Sequence, residues 1–317
     1  MSLKSAADVL MSGVPTPHTN ENNNVGQSEV DALGSGETPR IYSLPDVTKM
    51  ASSEVECYQM DRESRGLALI INNENFHHAT RMNKRSGTDV DARNLSRIFK
   101  KLGFDVQVYK DLSCISMLEV INEVSTMDHT GNDCCFVAFL SHGDDGCVYG
   151  TDGIVQIKKI VDQFRGDVCP SLAGKPKIFL FQACRGTLHE TSVQLSVDVV
   201  DGEDQPCVEV DAAPVPTLPS GSDYLFCYSV AEGYYSHRDT LYGSWFIQDF
   251  TDVMEQLVLN KGKQQDKVDF IDVLTVVNRK VSARRVERSY SQQALGKKQM
   301  PCYLSMLTKK LYLTPKK

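Results

Sequence analysis

Apolar residues along this chain fall into short unbroken runs, and between those runs they recur every three to four positions. Gly66–Ile71, Cys134–Leu140 and the stretch opening at Ile178-Phe-Leu-Phe181 are continuously apolar, as strands buried on both faces must be. Thr88–Leu102 instead carries Val90, Leu95, Ile98, Phe99 and Leu102 on helical spacing, with Thr88 or Asp89 suited to the N-cap and Gly103 to the stop. Phe104–Tyr109 alternates and predicts a second strand, while Ile115–Val124 and Ile154–Phe164 predict further amphipathic helices, the latter with Ile157, Ile160, Val161 and Phe164 on one side. The repeating order of strand and helix predicts an α/β fold, a mostly parallel sheet flanked by helices on both faces. Further on, Tyr224–Val230 reads as a strand, Trp245–Leu259 and Val268–Val281 as helices, and Cys302–Leu307 as a final strand before a basic tail that reads as a solvated end.

Two stretches break this pattern. Residues 1–60 are rich in Asn, Ser, Gly, Thr and Pro with no long apolar periodicity, and predict a short disordered segment. Residues 187–222 hold Pro206, Pro214, Pro216 and Pro219 and several acids, with no Lys or Arg between Arg185 and Arg238. A connector this long inside a compact domain points to a function of its own.

The chain has 317 residues and a formal net charge of −7, which argues against a nucleic-acid partner. The cluster Arg279, Lys280, Arg284, Arg285 and Arg288 is local enough to be a solvated helix end and the loop after it. Ten cysteines form no Cys-x-x-Cys pair and several lie in apolar runs, so reduced thiols in a cytoplasmic protein are expected, with no membrane span and no disulfide scaffold. The histidines offer no metal-ligand spacing, and neither a dinucleotide nor a phosphate-loop motif follows a strand. No cofactor or metal is expected.

The candidate chemistry lies where two apolar runs end. Cys134–Leu140 runs into Ser141-His142-Gly143, and Ile178–Phe181 runs into Gln182-Ala183-Cys184-Arg185-Gly186. Ligands of parallel sheets bind beyond the carboxyl ends of the strands, so adjacent strands would bring His142 and Cys184 to one edge. A thiol becomes a strong nucleophile on losing its proton, and an imidazole beside it can take that proton and later hand it to a leaving amine. Gly143 lets a backbone N–H approach a substrate carbonyl, and with the N–H of Cys184 it could hold a developing oxyanion.

On these motifs, the chain from about Tyr58 to its end resembles the executioner caspases, cysteine endopeptidases that cut after aspartate. The resemblance implies a catalytic dyad of His142 and Cys184, and a primary pocket from Arg85 in Arg-Ser-Gly-Thr-Asp, Gln182, and Arg238 after Tyr-Tyr-Ser. Two permanently charged guanidinium groups suit one carboxylate side chain. Tyr235, Ser236, His237 and Trp245 match positions that shape the substrate groove. His237 stands where executioner members usually carry tryptophan, and Arg288-Ser289-Tyr290 where a phenylalanine pair is common; Arg288 is expected to meet an acidic fourth residue before the cut.

Aspartate specificity also explains the connector. Asp31, Asp201 and Asp211 each precede Ala or Gly in polar chain, as cleavage sites of a zymogen would. The resemblance implies one catalytic domain formed by large and small subunits: a prodomain over 1–60, a large-subunit region over 61–186, a cleavable linker over 187–222 and a small-subunit region over 223–317. It further implies protein substrates with exposed Asp-small bonds, an upstream activating caspase, and a homodimer paired through Cys302–Leu307. An initiator or inflammatory member is the alternative, against which the short polar lead segment counts. An inactive homologue is the other, against which the intact dyad and pocket count.

Overall fold

The computed structural model describes residues 55–186, 219–260, 267–287 and 295–316. In chain order its main elements are β1 (Leu67–Asn72), α1 (Thr88–Leu102), β2 (Asp105–Lys110), α2 (Cys114–Thr126), β3 (Cys135–Leu140), β4 (Gly143–Asp144), β5 (Cys147–Tyr149), β6 (Ile154–Gln156), α3 (Ile157–Val161) and β7 (Lys177–Gln182). There follow β8 (Tyr224–Tyr228), β9 (Arg238–Asp239), β10 (Gly243–Ser244), α4 (Trp245–Met254), α5 (Phe270–Ala283) and β11 (Cys302–Ser305).

Six strands form the central sheet in the order β11-β8-β7-β3-β1-β2. All pair in parallel except β11, which runs antiparallel to β8. The expected mostly parallel sheet is therefore present. Alternate residues of its unbroken apolar strands feed two cores. Ala68, Ile70, Phe136, Ala138, Ile178 and Leu180 face α1, α4 and α5. Leu69, Ile71, Val137, Phe139, Phe179 and Phe181 face α2 and α3. On that second face Phe139 stacks on Phe181 at 5.2 Å and Phe181 on Tyr228 at 5.3 Å, tying three adjacent strands together.

Several sequence readings need adjustment. The N-cap of α1 is Gly87 at φ 92°, not Thr88 or Asp89. The left-handed backbone and a close approach both require glycine there, since a Cβ would lie 2.5 Å from the Asp239 carbonyl oxygen. Thr88 instead turns its hydroxyl inward, donating to Asn72 Oδ1 at 2.7 Å. The predicted helix over 154–164 is shorter. Ile154–Gln156 is the third strand of a small antiparallel sheet with β4 and β5, and exposed Ile154 lies off the apolar stripe that Ile157–Phe164 buries. Trp245–Leu259 is helical throughout, with a π-helical turn over Glu255–Leu259.

The basic tail is not a solvated end. Leu311 and Leu313 are buried, and the tail closes over the start of β1. Arg65 and Asp133, exposed by 1% and 0%, form an ion pair at 3.0 Å. Arg65 Nη2 also donates to the Thr314 carbonyl at 2.6 Å, and Lys316 reaches Asp133 at 2.8 Å. Removing one partner of such a pair strands the other charge in a low-dielectric setting, which typically costs about 3–5 kcal/mol. Asp133→Ala is accordingly expected to lower the free energy of unfolding, read from chemical denaturation, by an amount in that range. A change below about 1 kcal/mol would mean that the pair is dispensable.

Candidate active site

The chain runs outward from β1 to β2, then returns to place β3, β7 and β8 on the other side of β1. Strand order therefore reverses between β1 and β3, the place where open α/β sheets bind ligands at their carboxyl ends. The ladder ends with Leu140 opposite Gln182, so His142 and Cys184 each stand two residues past the last pair, on neighbouring strands.

The His142 ring is fixed from several sides. Its Nε2 lies 2.8 Å from the Asn83 carbonyl oxygen. A carbonyl can only accept, so Nε2 carries the hydrogen and Nδ1 is left as the basic nitrogen. The ring rests 4.8 Å from that of Phe76 and edge-on to Tyr149 at 6.4 Å. Burial, reinforced by the charges of Arg85 and Arg238, pushes its pKa down to about 4 against the pull of the Asn83 bond. The imidazole is neutral at pH 7 and available as a base.

Burial likewise raises the Cys184 thiol above its ordinary value, against opposing pulls from a hydrogen bond with the Ser236 backbone and from the charges of Arg85 and Arg238. Burial thus favours the neutral form of both the thiol and the imidazole.

Gly143 has a packing reason as well as a chemical one. A Cβ there would lie 2.7 Å from both the Ala183 Cβ and the Cys184 carbonyl oxygen, so only glycine lets the histidine loop settle against the cysteine loop. The Tyr149 N–H donates to the His142 carbonyl at 2.9 Å, and the next pair in the ladder is Gly143 with Val148. Antiparallel ladders alternate bonded and non-bonded pairs. The Gly143 N–H consequently points away from β5.

Beneath this edge lies a pocket of buried charge. Arg85, 1% exposed, donates from Nη1 to the Asn73 carbonyl at 3.1 Å and to Thr88 Oγ1 at 2.8 Å, and from Nη2 to the Gln182 carbonyl at 3.4 Å. Arg238 donates from Nε to the Ser86 carbonyl at 3.0 Å, and its terminal nitrogens have no hydrogen-bond partner among the described residues. Burial pushes the pKa of Arg85 down to about 9 and lowers that of Arg238. Gln182 Nε2 lies 2.7 Å from Ser236 Oγ, while its buried Oε1 has no partner among the described residues. A serine hydroxyl can donate as well as accept, so turning the amide over would satisfy Oε1 and present two donors to the pocket.

Asp91 is a residue that the sequence reading missed. Fully buried, it accepts from the Ser244 N–H at 2.8 Å and the Ser244 hydroxyl at 2.6 Å. Burial pushes its pKa up to about 6, against the Ser244 bonds and the two arginines. When ionised it offsets one of two cationic charges, leaving the pocket one anion short. Its position in the first turn of α1 reads only as a favourable helix-end charge; Asn83 and Phe76 carry no sequence signal for their roles.

Towards the far end of the groove, His237 and Trp245 pack their rings at 4.9 Å, and the His237 N–H donates to Gln299 Oε1 at 2.7 Å. Tyr235 and Ser236 lie in the segment between β8 and β9. The basic cluster is partly neutralised: Arg284 bonds Asp249 at 2.6 Å with its guanidinium 5.9 Å from the Trp245 ring, and Lys280 pairs with Asp252. Arg288, Asp31, Asp201 and Asp211 lie outside the described residues. No group of three His, Cys, Asp or Glu able to hold a metal occurs among the described residues. No helix among them is long and apolar enough to cross a membrane.

A neutral ground-state thiol has a measurable signature. Alkylation of Cys184 by iodoacetamide should keep accelerating with rising pH through the range where an ordinary thiol levels off, because burial raises its pKa and the thiolate is the reactive form. A rate plateau between about pH 5 and 7 would instead reveal a preformed thiolate–imidazolium pair.

Known proteins resemble this chain in sequence. Residues 65–312 match the caspase domain family model. The chain is 44% identical over 317 residues to caspase-6 of Gallus gallus, spanning 98% of this chain and 97% of that one. It is 48% identical over 265 residues to caspase-6 of Bos taurus (82% and 88%) and 42% over 255 residues to caspase-3 of Mus musculus (80% and 86%). The chain belongs to the caspase family and is a cysteine-type endopeptidase of the executioner type.

Proposed function

We propose that this endopeptidase cuts protein chains after aspartate, with Cys184 as nucleophile, His142 as general base and then general acid, and Arg85, Gln182 and Arg238 holding the aspartate side chain. The observation that carries this reading is the convergence, past one strand register, of a thiol, an imidazole with Nδ1 free to act as base, and a buried pocket short of one negative charge. Cys184 Sγ attacks the scissile carbonyl as its proton passes to His142. The N–H groups of Gly143 and Cys184 receive the carbonyl oxygen as it gains charge. Collapse of the tetrahedral species returns the proton to the departing amine and leaves an acyl-enzyme, which water hydrolyses with His142 again as base.

A site built around a carboxylate rejects its uncharged analogue severely, because its buried donors and charges then go unmatched. Replacing aspartate by asparagine in a peptide substrate should therefore lower kcat/KM by about 10⁴-fold or more. Arg85→Ala should shrink that ratio along with the absolute rate. Equal cleavage of the two peptides would dismiss the pocket assignment while leaving the dyad open to separate test.

We further propose a zymogen processed at Asp31, Asp201 and Asp211, by an upstream activating caspase or by itself, into a large fragment containing region 61–186 and a small one containing region 223–317 that stay associated. The ion pair and hydrogen bonds between Arg65, Asp133 and the segment 314–316 support the association, since they join the two regions without passing through the linker. Pairing of two copies through β11 is supported by its place at a sheet edge, with Leu304 exposed by 55%. Intact-mass mapping of the chain beside its Cys184→Ala variant tests the processing. Fragments ending at Asp201 or Asp211 in the first alone indicate self-processing. Resistance of the variant to an added active executioner caspase would exclude the linker sites altogether.

A further inference from the structure

Among the described residues, β2 is the sheet edge away from β11, with no strand paired to its outer side. Its six residues pair with β1 in unbroken register from Asp105 to Lys110, and it contains neither proline nor bulge to blunt its outer row of backbone donors and acceptors. Val108 on this strand is 47% exposed. Between β2 and the flank of α1 lies a groove of about 650 Å³ with Val108 and Ala92 in its wall.

The rim of that groove is basic on a chain whose net charge is −7. Arg93, Arg97 and Lys100 follow one stripe of α1, and Lys110 closes the end of β2. Lys110 is engaged by Asp89 at 2.6 Å and Glu74 at 2.9 Å, and Arg97 by Glu255. Arg93 and Lys100 form no ion pair among the described residues. Seven residues of helix separate Arg93 from Lys100, about 10.5 Å at 1.5 Å per residue. Side chains two and four positions apart on one face of an extended strand stand about 6.6 Å and about 13 Å apart, which brackets that span.

We infer that this groove is a docking site for an extended acidic peptide segment of a partner protein, which adds a strand to the free edge of β2, sets an apolar side chain on Val108 and aims acidic side chains at alternate positions towards Arg93 and Lys100. Strand addition supplies affinity through the backbone, and the alternate side chains supply selectivity. The groove touches the pocket's surroundings only through Asn72, which accepts from Thr88, and none of its cations belongs to the proposed dyad or aspartate pocket. A strand rather than a lone phosphate suits it, because the cations are spread along the helix flank instead of converging on one point.

The test uses full-length protein whose active site is blocked by an aspartyl peptide halomethyl ketone, and a fluorescein-labelled probe, Gly-Glu-Thr-Val-Thr-Glu-Thr-Glu-Gly, that contains no aspartate to cut. Anisotropy should report saturable binding that weakens at least tenfold in Arg93→Glu, in Lys100→Glu and in Val108→Glu. Tetrapeptide cleavage by the same unblocked variants should stay within twofold of the parent, which also shows that they fold. The inference is overturned if no saturable binding is seen, or if the three variants bind as the parent does. Equal affinity for a scrambled peptide of the same composition would overturn it too, since charge alone would then account for capture.

Discussion

Six consecutive residue pairs lock β3 to β7, from Cys135 opposite Lys177 to Leu140 opposite Gln182, and the catalytic edge inherits its geometry from that lock. Side chains alternate with a period of two, so a slip of β7 by one residue would turn Phe181 out of its stack with Phe139 and towards the opposite core. The same slip would carry the thiol about 3.3 Å along the strand relative to the imidazole. Two apolar cores, one on each face, thus hold the register that chemistry at the strand ends requires. The contact of Gly143 with Ala183 and the Cys184 backbone extends that control one turn past the sheet.

Electrostatics at the site works through competing influences on the same groups. Arg85 and Arg238 draw the Cys184 thiol towards its anion, yet they also discourage a proton on His142. Burial dominates both groups and favours the neutral form of each. In the mechanism proposed above, charge separation then waits for a substrate carbonyl to accept the developing negative charge. Beneath, the ionised form of Asp91 balances only one guanidinium, and the pocket keeps an unmet demand for an anion. An enclosed site of this kind is poorly stabilised when empty and selective when filled.

Much of this could be read from the chain because buried parallel strands and amphipathic helices obey simple periods. The run Ile178–Phe181 had no other reading than an interior strand, and the glycine and histidine that follow β3 marked its end as chemical. What escaped notice depends on tertiary proximity. Asp91 looked like a helix-end acid, since nothing in its neighbourhood along the chain places it under two arginines. Asn83 contributes a backbone carbonyl, which carries no residue signature at all. Ile154 sat at helical spacing from apolar neighbours, but solvent on its far side and the turn at Asp145-Gly146 made a strand the better use of that segment. The tail misled for a related reason: lysines at a chain end suggest solvent, whereas Leu311 and Leu313 between them decide its path.

The closure of that tail over β1 has a temporal consequence. Arg65 bonds a carbonyl 249 residues later in the chain, so its guanidinium must wait for all of that intervening chain to leave the ribosome. Such distant contacts slow assembly, because chain entropy is lost before any of them can reward it. A nascent chain that already holds His142 and Cys184 therefore still lacks Arg238 and the segment 314–316. Topology places the proposed dyad ahead of its completed pocket and its closing contacts in the order of synthesis.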